Sequence, residues 1–422
     1  MTSEVCIMNR LAVVLAADSA TTVTEWTEKG REDRYFKGAN KIFQLSDHHP
    51  VGLMIFDSAD IMRVPWETVV KTFRNQLKEK SFNSLQEYAL EFFAFLEAEA
   101  RLFPAEVQKT IFLENARSAA INVTVRTDDD TASLEKMIAE SDGLIKKRRD
   151  ALKNKPFAPK LTEELYTDII TRWSDDLVEM LENWRQSFER LFPSNLAAFA
   201  ELGMLEVFKD PATHFGTTGL VFAGFGNHDI FPAFANYKSC GLVCGNHVSF
   251  EDKKKAITHE IPAWLESFAQ TAMSDTFALG VSEDVYKSMM QALNDGLKSF
   301  AEKIAKASGG ELAKIKDFED VMAEARKGMG QSVLERARKD HAMPLRRVLS
   351  VLPVDEMAEL AETLINLQSL KEKVTKRSES VGGPIDVAII TKSEGLVWVK
   401  RKHYFDIDLN SRYLARLNAR LS

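Results

Sequence analysis

Apolar residues change their spacing several times along the chain. Two short runs open it, Val5–Met8 and Leu11–Ala17, with only Asn9-Arg10 between them, and predict an antiparallel hairpin. Both runs are nearly continuous in apolar residues, so both faces of each strand are expected to be buried. Lys41–Leu45 and Val51–Phe56 predict two more strands, joined by the polar turn Ser46-Asp47-His48-His49-Pro50. The period then lengthens to that of a helix. Trp66, Val69, Val70, Phe73 and Leu77 mark one helical face. Ser84, with Glu87 three residues on, forms a capping box that opens a second helix with Leu85, Tyr88, Phe92 and Leu96 on its apolar face. Helical spacing continues to about residue 210. It is clearest over 161–192, where Leu165, Ile169, Trp173, Leu177, Leu181, Trp184, Phe188 and Leu191 recur every three to five residues.

Strand signals return over 219–225 and 231–248, punctuated by Gly224, Gly226, Gly241 and Gly245, with a turn expected at Asn227-His228-Asp229. A second helical block is predicted over about 258–376. Ile385–Thr391 and Gly395–Lys400 then predict a hairpin bent at Lys392-Ser393-Glu394. No repeat of 20–50 residues is visible. Strand blocks this far apart predict an α+β fold: one sheet core reassembled from separated segments, helices packed outside, and helical insertions projecting from it. Long helices with charged outer faces need a partner surface, which is either another helix of this chain or another protein.

Composition narrows the partners. The 422 residues carry a net charge of −7, against the basic excess of a general nucleic-acid binder. The basic clusters at 146–149 and 253–255 have acidic neighbours and read as solvated helix faces. No apolar run reaches the 18–20 residues needed to span a bilayer, and no leader pattern opens the sequence, so no membrane partner is expected. Of three cysteines, Cys6 reads as a core residue, while Cys240 and Cys244 lie four apart without a second pair at zinc spacing. No metal or other cofactor is expected, and sparse cysteine fits a cytoplasmic location. His214, His228, His247 and His259 show no catalytic spacing and read as structural or surface residues. Residues 224–229, Gly-Phe-Gly-Asn-His-Asp, lack the Lys-Ser/Thr of a phosphate loop.

The candidate chemistry lies in Met-Thr-Ser at the start. A hydroxyl is a poor nucleophile without a base. Removal of Met1 exposes a threonine whose own α-amine, of ordinary pKa about 7.7–8.0, is substantially neutral near pH 7 and can take the hydroxyl proton. A lysine beside it lowers the pKa of both groups, and a carboxylate holds that lysine charged. Thr2, Lys41 and Asp18 are the candidates. The predicted hairpin returns the end of the second strand, hence Asp18, to the level of Thr2. Replacing Lys41 is expected to cost reactivity and little stability.

These residues carry a resemblance. The stretch from Thr2 to Thr22, TSEVCIMNRLAVVLAADSATT, resembles the first two strands of a proteasome β subunit, a member of the N-terminal-nucleophile hydrolases. Thr2 then falls on the catalytic threonine, Asp18 on the catalytic acid without a gap, and Lys41, in NKIFQL, on the catalytic lysine. Val381–Thr391, VGGPIDVAIIT, resembles the family's Gly-Gly-x-Ile-Asp strand. The likeness covers about 150–170 residues in separated blocks. It implies an αββα sandwich with two long helical insertions. Core segments would be 1–80, 214–250 and 380–422, with a helical insertion at 81–213 and a second helical block, part core and part insertion, at 251–379. It implies a threonine-type peptidase or amidohydrolase acting on a peptide or amide, and a homo-oligomer or a dedicated protein partner bound through the insertions.

Two positions depart from the family's pattern. The glycine whose N–H helps form the oxyanion hole is replaced by Phe56-Asp57. The supporting Asp and Ser before the Gly-Gly strand are replaced by Ser378 and Val381, with Glu379 and Ser380 between them. These departures give a second expectation, a catalytically inactive scaffold that binds another protein through its helices.

Overall fold

The computed structural model describes residues 2–27, 30–124, 133–188, 192–307, 317–375 and 381–421. The supporting candidates Ser378, Glu379 and Ser380 lie outside the described residues. In chain order the strands and helices begin with β1 (Ser3–Asn9), β2 (Ala12–Ala17), β3 (Ala20–Thr27), β4 (Gly30–Lys37), β5 (Ile42–Gln44), β6 (Val51–Asp57), β7 (Asp60–Ile61) and β8 (Val64–Pro65). Helices α1 (Trp66–Leu77), α2 (Leu85–Ala98), α3 (Ala105–Thr124), α4 (Leu134–Lys153), α5 (Glu163–Phe188), α6 (Leu196–Lys209) and α7 (Pro211–His214) come next. Then follow β9 (Thr218–Gly224), β10 (Ala233–Val243), β11 (Asn246–Ala256) and β12 (Ala263–Ala269). The chain closes with α8 (Ala272–Leu279), α9 (Glu283–Ala307), α10 (Phe318–Ala337), α11 (Met343–Leu349), α12 (Val354–Thr375), β13 (Asp386–Thr391), β14 (Gly395–Lys400) and α13 (Ser411–Leu421). The fold is mixed α+β with antiparallel sheets. Two have five strands, in the orders β12-β1-β2-β13-β14 and β11-β10-β9-β6-β5.

The described residues fall into two compact units: one from 1–56, 223–234 and 255–422, the other from 57–222 and 235–254. In the first unit β1 is the inner strand, paired antiparallel with β2 on one side and β12 on the other. Every residue of β1 and β2 is buried, as their unbroken apolar runs require. One face of this sheet, through Val5, Ile7, Val14, Ala16 and Val387, packs on Met357, Ala361, Leu364 and Ile365 of α12. The opposite face meets β6. A Cβ built on Gly52 would lie 2.9 Å from Ile390 and 3.0 Å from Leu396, so glycine lets the two layers close. Phe56 stacks on Phe268 of β12 at 5.3 Å between ring centroids. A helix, a sheet and a strand pair thus form successive layers.

The second unit is a helical assembly around Phe112, Ala116, Leu177, Leu181, Phe199 and Phe208. Ser84 caps α2 as expected: its Oγ accepts from the Glu87 backbone N–H at 3.4 Å, and Glu87 Oε2 accepts from the N–H of Asn83 at 3.2 Å. Such a cap stabilises a helix by about 1 kcal/mol. Phe92 and Phe93 of α2 meet Phe222 of β9 edge-on, at 5.6 and 5.8 Å.

The structure corrects several sequence expectations. The turn between β1 and β2 is Arg10-Leu11, one residue later than expected, with Leu11 exposed. Asn9 is instead the buried end of β1, its Oδ1 accepting from Leu11 N–H at 2.8 Å. Ala20–Thr27 and Gly30–Lys37 form an antiparallel pair in a stretch where no strand was predicted. Ala263–Ala269 is a strand inside the stretch read as helical. The terminal residues 411–421 form a helix.

Candidate functional site

The β1–β2 register sets the site. Glu4 faces Ala17, so Ser3 and Asp18 lie side by side at the open end of the hairpin. Asp18 N–H donates to Ser3 O at 3.2 Å, and Ser3 N–H returns a bond to Asp18 Oδ1 at 3.2 Å. Asp18 is fully buried, and its other oxygen accepts from Ala20 N–H at 3.3 Å and Gly382 N–H at 2.8 Å. The carboxylate is therefore fixed by three backbone donors before any cation is added.

The Gly-Gly-Pro segment supplies one of those donors and holds the next residue. Ser19 Oγ donates to Pro384 O at 2.7 Å, and Ser19 N–H donates to Gly382 O at 3.3 Å. Gly383 has φ +82°, and a Cβ there would stand 2.7 Å from Ser19 Oγ. Both the backbone and the space demand glycine.

Lys41, 5% exposed, precedes β5 directly, and its carbonyl accepts from Ile55 N–H of β6 at 2.8 Å. From there Nζ reaches Asp18 Oδ1 at 2.5 Å. It also pairs with Glu4 Oε1 at 3.3 Å. Glu4 escaped the sequence reading. The signal was the single charge in a strand whose middle, Val5–Met8, is apolar. Glu4 is fully buried, and neither carboxylate oxygen makes a sound hydrogen bond among the described residues. Burial pushes its carboxyl up to about 8; the Lys41 charge opposes this and the Asp18 charge adds to it.

Thr2 is buried immediately before β1, with its carbonyl accepting from Gln270 N–H at 3.0 Å. Strand alternation places it on the same face as Glu4, away from α12. Its Oγ1 is also buried, without a hydrogen-bond partner among the described residues. The hydroxyl is close enough to favour the charged form of Glu4, yet it does not meet the geometry of a formed bond. Thr2, Glu4, Asp18 and Lys41 all belong to the first unit, and the described structure brings them together around one buried ammonium.

Phe56 lies in the first unit and Asp57 in the second. Asp57 has φ +69°, the left-handed region that favours the glycine expected there. Crowding by neighbouring atoms raises its carboxyl above the usual range, with Lys238 opposing.

The histidines show one pairing that spacing hid. Ser239 Oγ and His247 Nε2 lie 2.8 Å apart, both buried, in the second unit. Burial holds His247 down to about 3, and its Nδ1 has no partner among the described residues. A ring this hard to protonate is a weak base; its place, stacked on Phe93 at 4.6 Å, is that of a core residue. His214 joins the buried Glu206 at 3.3 Å, His228 is exposed, and His259 meets Phe231 edge-on. Among the described residues no helix is long and apolar enough to cross a membrane.

No family model and no curated protein matches this chain. Among solved structures it is similar to an Anbu (Gly-1) mutant from Hyphomicrobium sp. strain MC1, at 10% identity over 99% of this chain and 96% of the other, with a TM-score of 0.26. It is also similar to the chain described as a helical assembly of the Anbu complex from Pseudomonas aeruginosa, at 11% identity over 99% and 95%, with a TM-score of 0.27. The sequence-based placement among proteasome β-subunit-like proteins is corrected here: no family model matches the chain, and the solved structures it is similar to are Anbu proteins. At such scores the matches carry no argument of their own, and the reading of the site rests on its geometry.

Proposed function

We propose that the protein is an amide hydrolase whose nucleophile is the hydroxyl of Thr2, exposed by removal of Met1. The carrying observation is a buried, unpartnered Thr2 hydroxyl beside a strand pair that fixes the Lys41–Asp18 ion pair at 2.5 Å. Thr2 Oγ1 attacks an amide carbonyl, forming an ester to the enzyme. The freed α-amine of Thr2 takes the hydroxyl proton and later protonates the leaving amine, and water hydrolyses the ester. Lys41 keeps the local field positive, which lowers the pKa of the hydroxyl and the amine, and Asp18 fixes Lys41 in place. In the first unit, the α12 helix, the five-stranded sheet and the β5–β6 strand pair in successive layers support an N-terminal-nucleophile type of αββα sandwich with helical insertions.

The test is direct. Intact mass of the purified protein is expected to show a chain beginning at Thr2. A hydroxyl-acylating β-lactone is expected to label wild type and to leave Thr2→Ala and Lys41→Ala unlabelled. Equal labelling of wild type and Thr2→Ala excludes the reading.

One observation favours a second reading, a non-catalytic scaffold that assembles with copies of itself or with another protein. Helices α9 and α10 of the first unit expose Met289, Phe300, Ile304 and Val321, apolar side chains that a partner would cover. Under that reading Thr2 is inert toward the same probe.

A further inference from the structure

Glu4 has no role in the chemistry just described, and its setting is costly. An ionised carboxylate in a fully buried strand needs hydrogen bonds as well as a counter-ion. Asp18 has both: three backbone donors and Lys41. Glu4 has Lys41 alone, at 3.3 Å, and two bare oxygens. Across the strand pairs it faces Ala17 and Phe268, which offer no charge. The groups that act on it electrostatically are Lys41, Asp18 and the Thr2 hydroxyl. Two residues before it on the same strand face stands that hydroxyl, also bare and buried. A hydroxyl without an acceptor lies beside a carboxylate whose one cationic neighbour, Lys41, makes no well-formed hydrogen bond to it. Hydrogen bonds between catalytic groups are often long in a free enzyme and tighten when substrate binds.

We propose that Glu4, in place of the α-amine, is the proton acceptor for the Thr2 hydroxyl in the acylation step. The inference rests on the reading of Thr2 as nucleophile. Glu4 carboxylate takes the hydroxyl proton as Oγ1 bonds to the substrate carbonyl carbon and the carbonyl π pair moves to oxygen. When the intermediate collapses, the C–N bond breaks and Glu4 returns that proton to the leaving nitrogen. No outside reagent is needed. A base works best when its pKa lies near the working pH, and a carboxyl held up to about 8 by burial meets that condition where an ordinary glutamate would not. Asp18 cannot serve, because its oxygens are engaged by Lys41 and the backbone.

The experiment measures the rate of Thr2 acylation by a β-lactone from pH 6 to 10 in wild type, Glu4→Gln and Thr2→Ala. Glu4→Gln keeps the shape of the side chain and removes the base. A general base contributes typically 10²–10⁴-fold, so the expected result is a loss of at least about tenfold at pH 8.5 and disappearance of the rise centred near pH 8. A merely structural Glu4 would leave that rise in place. Glu4→Gln reacting within threefold of wild type, with an unchanged pH profile and Thr2→Ala silent, overturns the proposal and leaves the Thr2 reading standing. No Thr2 labelling in wild type overturns both. Should Glu4→Gln fail to fold, Glu4→Asp decides, because the α-amine titrates in the same window as Glu4: a rise moved away from pH 8 supports the proposal, and an unmoved rise removes Glu4 from the step.

Discussion

Replacing Lys41 by alanine tests whether the site is a buried charge cluster or a surface detail. From sequence the change was expected to cost little stability; the structure reverses that. Lys41 Nζ stands 2.5 Å from Asp18 and 3.3 Å from Glu4, and both carboxylates are inaccessible to water. With an effective dielectric of about 20, the contact with Asp18 is worth roughly 7 kcal/mol before desolvation is counted, and the contact with Glu4 roughly 5 kcal/mol only where Glu4 is ionised, above about pH 8. Much of that is offset by the cost of burying the ammonium, and in the variant the stranded carboxylates regain protons. Removing one partner of a buried pair typically destabilises by about 3–5 kcal/mol, which is the expected loss for Lys41→Ala at pH 7. Urea denaturation followed by tryptophan fluorescence measures it. Adding Glu4→Gln to Lys41→Ala removes one stranded carboxylate and is expected to recover at least about 1 kcal/mol, a non-additive effect that only coupled groups show. A loss below about 1 kcal/mol for Lys41→Ala, or strictly additive behaviour of the pair, refutes the buried cluster.

Other outcomes follow from the same structure. Glu4 binds its proton more tightly folded than unfolded, its pKa rising from an ordinary 4.5 to about 8. Its contribution to stability is therefore full below about 4.5 and is lost as pH rises through about 8, so wild type is expected to lose several kcal/mol across that window and Glu4→Gln to show a flatter profile by urea titration. His247 runs the other way: held down to about 3, it contributes stability above about 6.5 that is lost as pH falls toward 3, and His247→Gln is expected to flatten that acid limb. Gly383→Ala forces a Cβ to 2.7 Å from Ser19 Oγ at φ +82° and is expected to cost about 1–3 kcal/mol and to slow Thr2 labelling, read by thermal melting and probe kinetics.

Legibility in the sequence followed how local each signal was. The β1–β2 hairpin, the Ser84 cap and the last hairpin are written in contiguous apolar runs and fixed offsets, and the structure shows all three. Asp18 could be placed beside Thr2 because an antiparallel hairpin returns the chain to its starting level. The β3–β4 pair was not legible, since its segments, ATTVTEWT and GREDRYFK, are mostly polar and carry no apolar run. Strand β12 was hidden because Trp264, Leu265 and Phe268 mimic helical spacing; its pairing with β1 across some 260 residues overrides that local preference. Glu4 was visible as an oddity, but its meaning depends on Lys41, which only the folded chain brings to it. The family placement failed for a related reason: short blocks in the right order fix a local arrangement without fixing kinship.

The account depends on one atom, the Thr2 hydroxyl oxygen. The most direct measurement is tandem mass spectrometry of the β-lactone-treated protein after digestion, locating the acyl group residue by residue. The account predicts a single ester on Thr2, in a peptide that begins at Thr2 with a free amine, and none in protein carrying Lys41→Ala. An adduct on any other residue with Thr2 unmodified, or a chain that still carries Met1 and no adduct at all, contradicts it.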